Sequence, residues 1–332
     1  MYSQISSKEN LYRSAHAAAK ARRYRDSVAD FNFHLEEEVE MLHRELTDGT
    51  YKHGKYRVFN VYDPKERRIA AAPFRDRVVH HAVHDVIEPL IDRTFIYDSY
   101  ACRKGKGTHK ALDRAQRFLR SNRFCLHADV KKFFPSIDHG ILKKILLKRI
   151  ADMDLIRLVN DLVDSARQIV GGGTTDAAAK GLPIGNLTSQ FFANLYLNEL
   201  DYFVKFQLRI RHYSRYMDDF LIFGNDRKAL IEVKDQARNF LKEQLALRMH
   251  EGKSQIYDTE KGIKFLGFRI YRDYRRLVSD NVRRFKKRLR KFNYLFENGK
   301  ISEKEIGDSV RCWVAHSKYA NTGGLRHVLG VD

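Results

Sequence analysis

The sequence predicts an α+β fold, and three observations predict it. The stretch Arg215-Tyr216-Met217-Asp218-Asp219-Phe220-Leu221-Ile222-Phe223 sets two adjacent carboxylates between a mixed polar run and an apolar one. Aromatic and β-branched runs of this kind read as strands, so Tyr-Met-Asp-Asp is expected at the tip of a hairpin. Residues 124–130 alternate with a period of two: Phe124, Leu126, Ala128 and Val130 on one face, Cys125, His127 and Asp129 on the other. Between and around these strands, apolar residues recur at helical spacing, as in Leu142, Ile145, Leu146 and Ile150.

Length and composition bound the rest. A chain of 332 residues exceeds the usual ~100–200 per domain, so two or three subdomains packed into one body are expected. With 43% hydrophobic and 12% aromatic residues it can bury a sizeable core. Lys and Arg number 62 against 42 Asp and Glu, and the resulting +20 favours a polyanionic partner, nucleic acid first. Cys102, Cys125 and Cys312 are odd in number and widely spaced, which speaks against a disulfide framework or a zinc site and for a reducing cytosol. The start is polar and no run approaches ~18 apolar residues, so a secreted or membrane-spanning protein is not expected.

Taken in order, residues 20–25 form a basic cluster with one tyrosine. Val28, Phe31, Leu35, Val39, Leu42 and Leu46 then mark one helical face, with Gly49 near its stop. Residues 51–62 read as extended, ending at the turn signal Asp63-Pro64. A second short strand follows from Lys65 to Ile69 and makes a hairpin with a basic tip. Arg75-Asp76-Arg77 opens a helix carrying Val79, Ala82, Val83, Val86 and Leu90. His80 and His84 on it have metal-ligand spacing but no Glu or Cys beside them, and read as ordinary helix residues. Residues 103–109 are a basic glycine loop whose amides and lysines suit phosphate, although the spacing is not that of a P-loop. Gly171, Gly172 and Gly173 read as a connection, and no repeat or low-complexity tract occurs.

Asp129 ends its strand, and Asp138 after Phe133-Phe134-Pro135-Ser136-Ile137 is a helix N-cap candidate. Asp218 and Asp219, ~90 residues on, also sit at strand ends. By itself the acidic tip is either a polar turn or a metal site. With Asp129 it makes a three-carboxylate set able to bridge two Mg²⁺ ions ~3.5–4 Å apart, as in two-metal catalysis.

These residues resemble a reverse transcriptase, in order over most of the chain. Arg68-Ile69 with residues 73–77 resembles the first fingers block, and residues 100–109 the second. Residues 129–138 resemble the first palm motif, and residues 181–190 the nucleotide-side motif opening a long palm helix. Residues 216–219 are similar to the Tyr-x-Asp-Asp box, Gly252-Lys253-Ser254 to the later lysine motif, and residues 264–268 to the primer grip. The resemblance implies a right-hand polymerase: residues 1–120 as fingers with an N-terminal extension, 121–264 as a ferredoxin-like palm with a fingers-side connection at about 150–180, and 265–332 as a small helical thumb. It implies RNA-templated DNA synthesis with two Mg²⁺ ions (Mn²⁺ able to substitute), dNTPs, an RNA template and a DNA or RNA primer, in the cytoplasm.

One departure narrows the family. Where most members have Gln-Gly followed by Ser-Pro, this chain has Ile184-Gly185 and Ser189-Gln190, a form that resembles reverse transcriptases of diversity-generating retroelements. Residues 313–320 resemble that subfamily's thumb. The likeness implies mutagenic retrohoming, with errors at template adenines, and a small basic oligomeric accessory protein. The alternatives are a bacterial reverse transcriptase of antiviral defence, or a non-catalytic, maturase-like RNA-binding protein.

By resemblance Asp129 and Asp218 are metal ligands, together with the main-chain carbonyl of Val130. Asp219 is the weaker member, because adjacent residues at a tip rarely converge. Arg68 and Lys253 match positions that meet the triphosphate. Lys253 either protonates the leaving group or is a solvated loop lysine. Phe134 matches the ring that excludes a ribose 2′-hydroxyl, unless Phe133 is the exposed one. Ile184, Gly185 and Gln190 match nucleotide-side positions. The polar stripe Asn186, Gln190, Asn194 and Asn198 faces either the template–primer groove or solvent. In the thumb segment, Arg283, Arg284, Lys287, Arg288 and Lys291 surround an apolar stripe with no acid among them, which favours phosphate contact. The chain ends soon after that segment, so no RNase H, endonuclease or integrase is expected.

Overall fold

The computed structural model describes residues 1–62, 66–170 and 180–331. The expected Asp63-Pro64 turn with Lys65, and the triple-glycine connection, lie outside the described residues. In chain order the elements begin with α1 (Tyr2–Ser6), α2 (Lys8–Ala19), α3 (Asp26–Phe33), α4 (Leu35–Thr47), β1 (Arg57–Val61), β2 (Arg67–Ala71) and α5 (Phe74–Asp92). There follow α6 (Thr108–Arg120), β3 (Phe124–Asp129), α7 (Phe133–Ser136), α8 (His139–Leu147), α9 (Met153–Asp164), α10 (Arg167–Val170) and α11 (Leu187–Tyr202). The remainder is β4 (Tyr213–Tyr216), β5 (Asp219–Gly224), α12 (Arg227–Leu245), β6 (Gln255–Asp258), β7 (Ile263–Phe265), β8 (Phe268–Ile270), β9 (Arg275–Leu277), α13 (Ser279–Glu297), α14 (Glu303–Ser317) and α15 (Gly323–Val328).

The chain divides into two compact units, where its length led to an expectation of two or three subdomains. One comprises Met1–Tyr97, Val130–Gln207 and Gln236–His250; the other Asp98–Asp129, Leu208–Asp235 and Glu251–Asp332. The first is largely helical and is organised on α5, against which α2, α3 and α11 pack. Val78, Val79, Ala82, Val83 and Ile87 of α5 are fully buried, and the small Ala15, Ala18 and Ala19 let α2 approach closely. The polar-looking start of the chain is helical because Ile5 and Leu11 face this core, with Ser7 capping α2. The single helix expected over residues 28–46 is two, broken at His34, whose φ of −103° and ψ of 30° depart from helical values. Asp138 caps α8 as expected, accepting from the Ile141 amide at 3.1 Å.

The second unit holds a four-stranded antiparallel sheet in the order β4-β5-β3-β6. The middle strands are buried on both faces: Leu126 and Ala128 on one side and Cys125 on the other show no exposure. Ala111, Leu112, Ala115, Phe118 and Leu119 of α6 share a core with Leu221 and Phe223 of β5. That core continues into the three-stranded sheet β7-β8-β9 and into α13 and α14 through Phe265, Phe268, Phe285 and Trp313. Phe285 and Trp313 stack with centroids 3.8 Å apart, and the Trp313 indole donates to Asn281 Oδ1 at 3.0 Å.

That stack is the chief apolar contact between α13 and α14, since Phe285 is the buried residue of its helix. Phe285→Ala is expected to destabilise the second unit by about 3–5 kcal/mol, the cost of truncating a buried ring. Denaturant unfolding followed by Trp313 fluorescence measures it, and a loss under ~1 kcal/mol would show the stack to be dispensable.

Candidate active site

The hairpin of β4 and β5 is closed by two residues, Met217 and Asp218, with Tyr216 opposite Asp219. Met217 takes a φ of +57°, uncommon for a side chain of its size and a mark of local strain. Arg215, fully buried at the end of β4, donates from Nη1 to the Met217 carbonyl at 3.0 Å and so holds the tip. Its backbone is paired on the outer side: its amide donates to the Asp98 carbonyl and its carbonyl accepts from Tyr100. Arg114 of α6 meets both Asp98 oxygens, at 2.7 and 3.3 Å, fixing that segment in turn. None of these supports was expected from the sequence.

Strands β3 and β5 pair so that Asp129 lies directly opposite Asp219, with Asp218 in the adjoining turn. The three carboxylates expected from the sequence therefore meet at one end of one sheet. Burial, with the Asp129 and Asp219 charges adding to it, pushes the Asp218 carboxyl up to about 6. Asp219 is held by His127, whose Nε2 lies 2.6 Å from Oδ1. Lys253 places Nζ 3.0 Å from each oxygen of Asp129 while remaining half-exposed. Ser254 Oγ accepts from the Asp129 amide at 3.4 Å.

An all-oxygen donor set suits a hard divalent cation, and the raised Asp218 carboxyl is a charge that such a cation would stabilise. Asp129 and Asp218 fit that chemistry. Asp219 is already committed to His127, and among the described residues no group of three or more His, Cys, Asp or Glu side chains is placed to hold a metal ion. Val130 pairs with Met249 in an isolated antiparallel bridge.

In the first unit, Phe133 is buried and Phe134 half-buried, so Phe134 is the ring with an open side. The Ile184 carbonyl accepts from the Ala70 amide of β2 at 3.1 Å. Gly185, at a φ of +134°, lies so close to β2 that a Cβ would sit 3.0 Å from the Ala70 carbonyl oxygen. Arg68, opposite Asn60 in the hairpin, is exposed, as is Gln190. The stripe on α11 faces neither groove nor solvent: Asn186, Asn194 and Asn198 are buried and only Gln190 is open. The four residues share one face of α11, and what covers that face is set by neighbours that the helix alone does not reveal.

Sequence reasoning gave the 20–25 cluster no role. The structure places Arg22, Arg25, Lys55, Arg57 and Arg77 around a cleft of about 930 Å³, with Tyr24 on its wall. Arg22, Arg77 and Gly185 also line an adjoining cavity of about 260 Å³ with Gln190. Burial and the charges of Arg22 and Arg25 push the Arg77 guanidinium down, and none of the three forms an ion pair among the described residues. In the second unit Arg283, Arg284, Lys287, Arg288 and Lys291 are exposed along α13, with Arg283 paired to Asp280 at 2.9 Å.

A carboxylate-tipped antiparallel sheet, a helical unit carrying a basic hairpin and a helical C-terminal segment define a right-hand polymerase. Two telomerase structures share the fold: apo telomerase from Candida Tropicalis (TM-score 0.50, 13% identity, 66% of this chain and 47% of that one) and a form truncated from the C-terminal domain (0.51, 14%, 68% and 54%). Residues 52–270 match the family described as Reverse transcriptase (RNA-dependent DNA polymerase), and the chain belongs to that family. Similar curated proteins include Protein YkfC of Escherichia coli (strain K12), 26% identical over 71% of each chain. Another is the Group II intron-encoded protein LtrA of Lactococcus lactis subsp. cremoris, 23% identical over 91% of this chain and 57% of that one. The chain thus spans about half the length of LtrA and of the telomerases. Among the described residues no helix is long and apolar enough to cross a membrane.

Because the folded value of Asp218 is raised from 3.8 to about 6, its contribution to stability is fully present below about pH 4 and lost as pH rises through 6. Asp218→Asn, which removes the buried charge, is expected to stabilise the protein by up to about 3 kcal/mol at pH 8 in metal-free buffer. The gain should shrink steadily towards pH 4. Urea unfolding at pH 8, 6.5 and 5 measures it, and a gain independent of pH would mean that the charge is not its source.

Proposed function

We propose that this chain synthesises cDNA on an RNA template from a DNA or RNA primer, by nucleotidyl transfer at Asp129 and Asp218. The observation that carries this reading is the register of β3 on β5, which brings carboxylates from distant segments to one sheet end. Bound there, two Mg²⁺ ions (or Mn²⁺) would activate the primer 3′-hydroxyl and polarise the α-phosphate. Asp129, Asp218 and the Val130 carbonyl would hold them. His127, hydrogen-bonded to Asp219, would keep that carboxylate oriented. Lys253, half-exposed beside Asp129, would donate a proton to the leaving pyrophosphate. Arg68 would meet the triphosphate, Phe134 the sugar, and Ile184, Gly185 and Gln190 the nucleotide's other side. Exposed Arg283, Arg284, Lys287, Arg288 and Lys291 would grip the duplex phosphates without regard to sequence.

Residues 1–120, 121–264 and 265–332 would act as fingers, palm and thumb. The finer reading is a diversity-generating retroelement enzyme, supported by Ile184-Gly185 with Ser189-Gln190 and by residues 313–320. It carries with it errors at template adenines, a small basic oligomeric accessory protein and a cytoplasmic setting. A second reading, RNA binding in service of intron folding, is favoured by the likeness to a group II intron-encoded protein over 91% of this chain.

Primer extension on a defined RNA decides between them. Asp129→Ala and Asp218→Ala should each lower extension by more than the ~10–100-fold that losing an outer partner of a metal site costs. RNA affinity should be nearly unchanged, because the basic surfaces supply it. Extension by either variant at the parent rate would remove the carboxylates from the chemistry.

Fidelity tests the finer reading. Glutamine offers two donors and an acceptor, whereas Ile184 offers only shape. Fewer polar contacts to a correct pair narrow its margin over a mismatch, tenfold for each ~1.4 kcal/mol. Ile184→Gln is expected to lower misincorporation about tenfold, most of all opposite template adenine. The readout is the error spectrum of cDNA copied from one RNA by both proteins. A parent spectrum equal at all four template bases would exclude the retroelement assignment.

A further inference from the structure

Residues 51–56 stitch α5 to the start of α11, all within the first unit. Asp76 of α5 accepts from the Tyr51 hydroxyl at 2.6 Å and from the Gly54 amide at 3.2 Å. A Cβ at Gly54 would lie 2.8 Å from Asp76 Oδ2, so only glycine permits this approach. One turn along α5, His80 is buried between two partners. Its Nδ1 lies 2.7 Å from Thr188 Oγ1 and its Nε2 lies 3.3 Å from His53 Nε2. His53 Nδ1 in turn lies 2.7 Å from the Gly54 carbonyl.

Donors and acceptors can be matched along this chain. The Gly54 carbonyl only accepts, so His53 Nδ1 carries a proton, while its Nε2 can accept from or donate to His80 Nε2. If His53 Nε2 accepts from His80 Nε2–H, the Thr188 hydroxyl donates to His80 Nδ1; if it donates, His80 Nδ1–H donates to Thr188 Oγ1, and either way each link is made. Burial, which pushes His80 down to about 3, keeps that ring neutral. A second arm runs beside the first. The His53 ring stacks on Tyr56 with centroids 4.6 Å apart, and the Tyr56 hydroxyl accepts from Asn186 Nδ2 at 3.0 Å. Asn186 is the N-cap of α11 and Thr188 its second residue. With the Ile184 carbonyl held by Ala70, the segment from 184 to 188 is fixed at three points by groups outside it.

We propose that His53, Tyr56 and His80 are positioning residues for residues 184–190, fixing through Thr188 and Asn186 where Ile184 and Gln190 stand against the incoming nucleotide. This rests on the polymerase reading above. None of the three touches reacting atoms; they act through the backbone of the segment. Discrimination between a pair and a mismatch depends on a wall that does not yield, and a small displacement there is costly. A chain with every ring nitrogen engaged resists displacement, and at its buried link, His80 to Thr188, a broken bond leaves a buried polar group unsatisfied.

The test compares Thr188→Val, which keeps shape and loses the hydroxyl, with Thr188→Ser, which keeps the hydroxyl. His53→Phe, which keeps a ring to stack on Tyr56 and loses both nitrogens, is the independent variant. Single-nucleotide extension with the full-length chain yields kcat and KM for the correct and mismatched dNTP, beside the melting temperature. Thr188→Val and His53→Phe should raise KM for the correct dNTP about tenfold, the scale of one unsatisfied buried group, and narrow the correct-to-mismatch ratio similarly. Their kcat should stay within about twofold, and Thr188→Ser should match the parent. If Thr188→Val melts lower but keeps the parent KM and mismatch ratio, the chain of bonds is structural only and the proposal falls. It falls equally if Thr188→Ser behaves as Thr188→Val does. A parent that extends no primer at all overturns the polymerase reading itself, and this inference with it.

Discussion

Like charges forced to one place are the constraint on which the second unit is built. Antiparallel pairing puts Asp129 across from Asp219, an arrangement that costs stability wherever no cation compensates it. The surrounding residues are arranged around that cost. His127 from the neighbouring position on the same strand face takes Asp219, and Lys253 spans both oxygens of Asp129. Burial and the neighbouring charges push the Asp218 carboxyl up. The strained turn carrying it persists because Arg215, wholly buried, grips the Met217 carbonyl from below. Asp98, Arg114 and α6 then act as the foundation of the tip, and the shared core with α13 and α14 ties that foundation to the C-terminal helices.

The first unit solves a different problem, that of bringing backbone against backbone. Gly54 on Asp76 and Gly185 on β2 are both approaches that a side chain would block. Each lets main-chain groups make the contact: the Gly54 amide to a carboxylate, the Ile184 carbonyl to the Ala70 amide. Contacts of this type hold a segment more firmly than packing alone, because hydrogen bonds are directional and a buried unmade one is expensive. Arg22, Arg25 and Arg77 nearby, which form no ion pair among the described residues, are the converse case. Their mutual repulsion is tolerated on a cleft wall open to anions.

Identity near a quarter to the curated relatives, and near an eighth to the telomerases, fits this division of labour. Cores accept many apolar sequences of suitable volume and pattern, so the fold outlasts sequence similarity. The carboxylates, the glycine approaches and the buried polar partners are few and depend on particular atoms. Function within such a fold is carried by sites of that kind.

Much of this was legible in the sequence because it is governed by local rules. Period two across residues 124–130 gave β3 and the projection of Asp129, and the apolar run after Asp219 gave β5. Asp138 read as a cap and is one. The break at His34 was missed because the apolar spacing runs on across it, and the burial of Asn186, Asn194 and Asn198 because a stripe says nothing of what covers it. Only the tertiary structure decided that Asp129 stands opposite Asp219, that Arg215 lies beneath the turn, and that His80 joins His53 to Thr188. The sequence by itself determined which segments become strands and helices and which residues carry charge, since those depend on neighbours along the chain. Partners 27, 92 or 108 positions apart are chosen by packing and by the need to satisfy every buried polar group, and no local pattern records that choice.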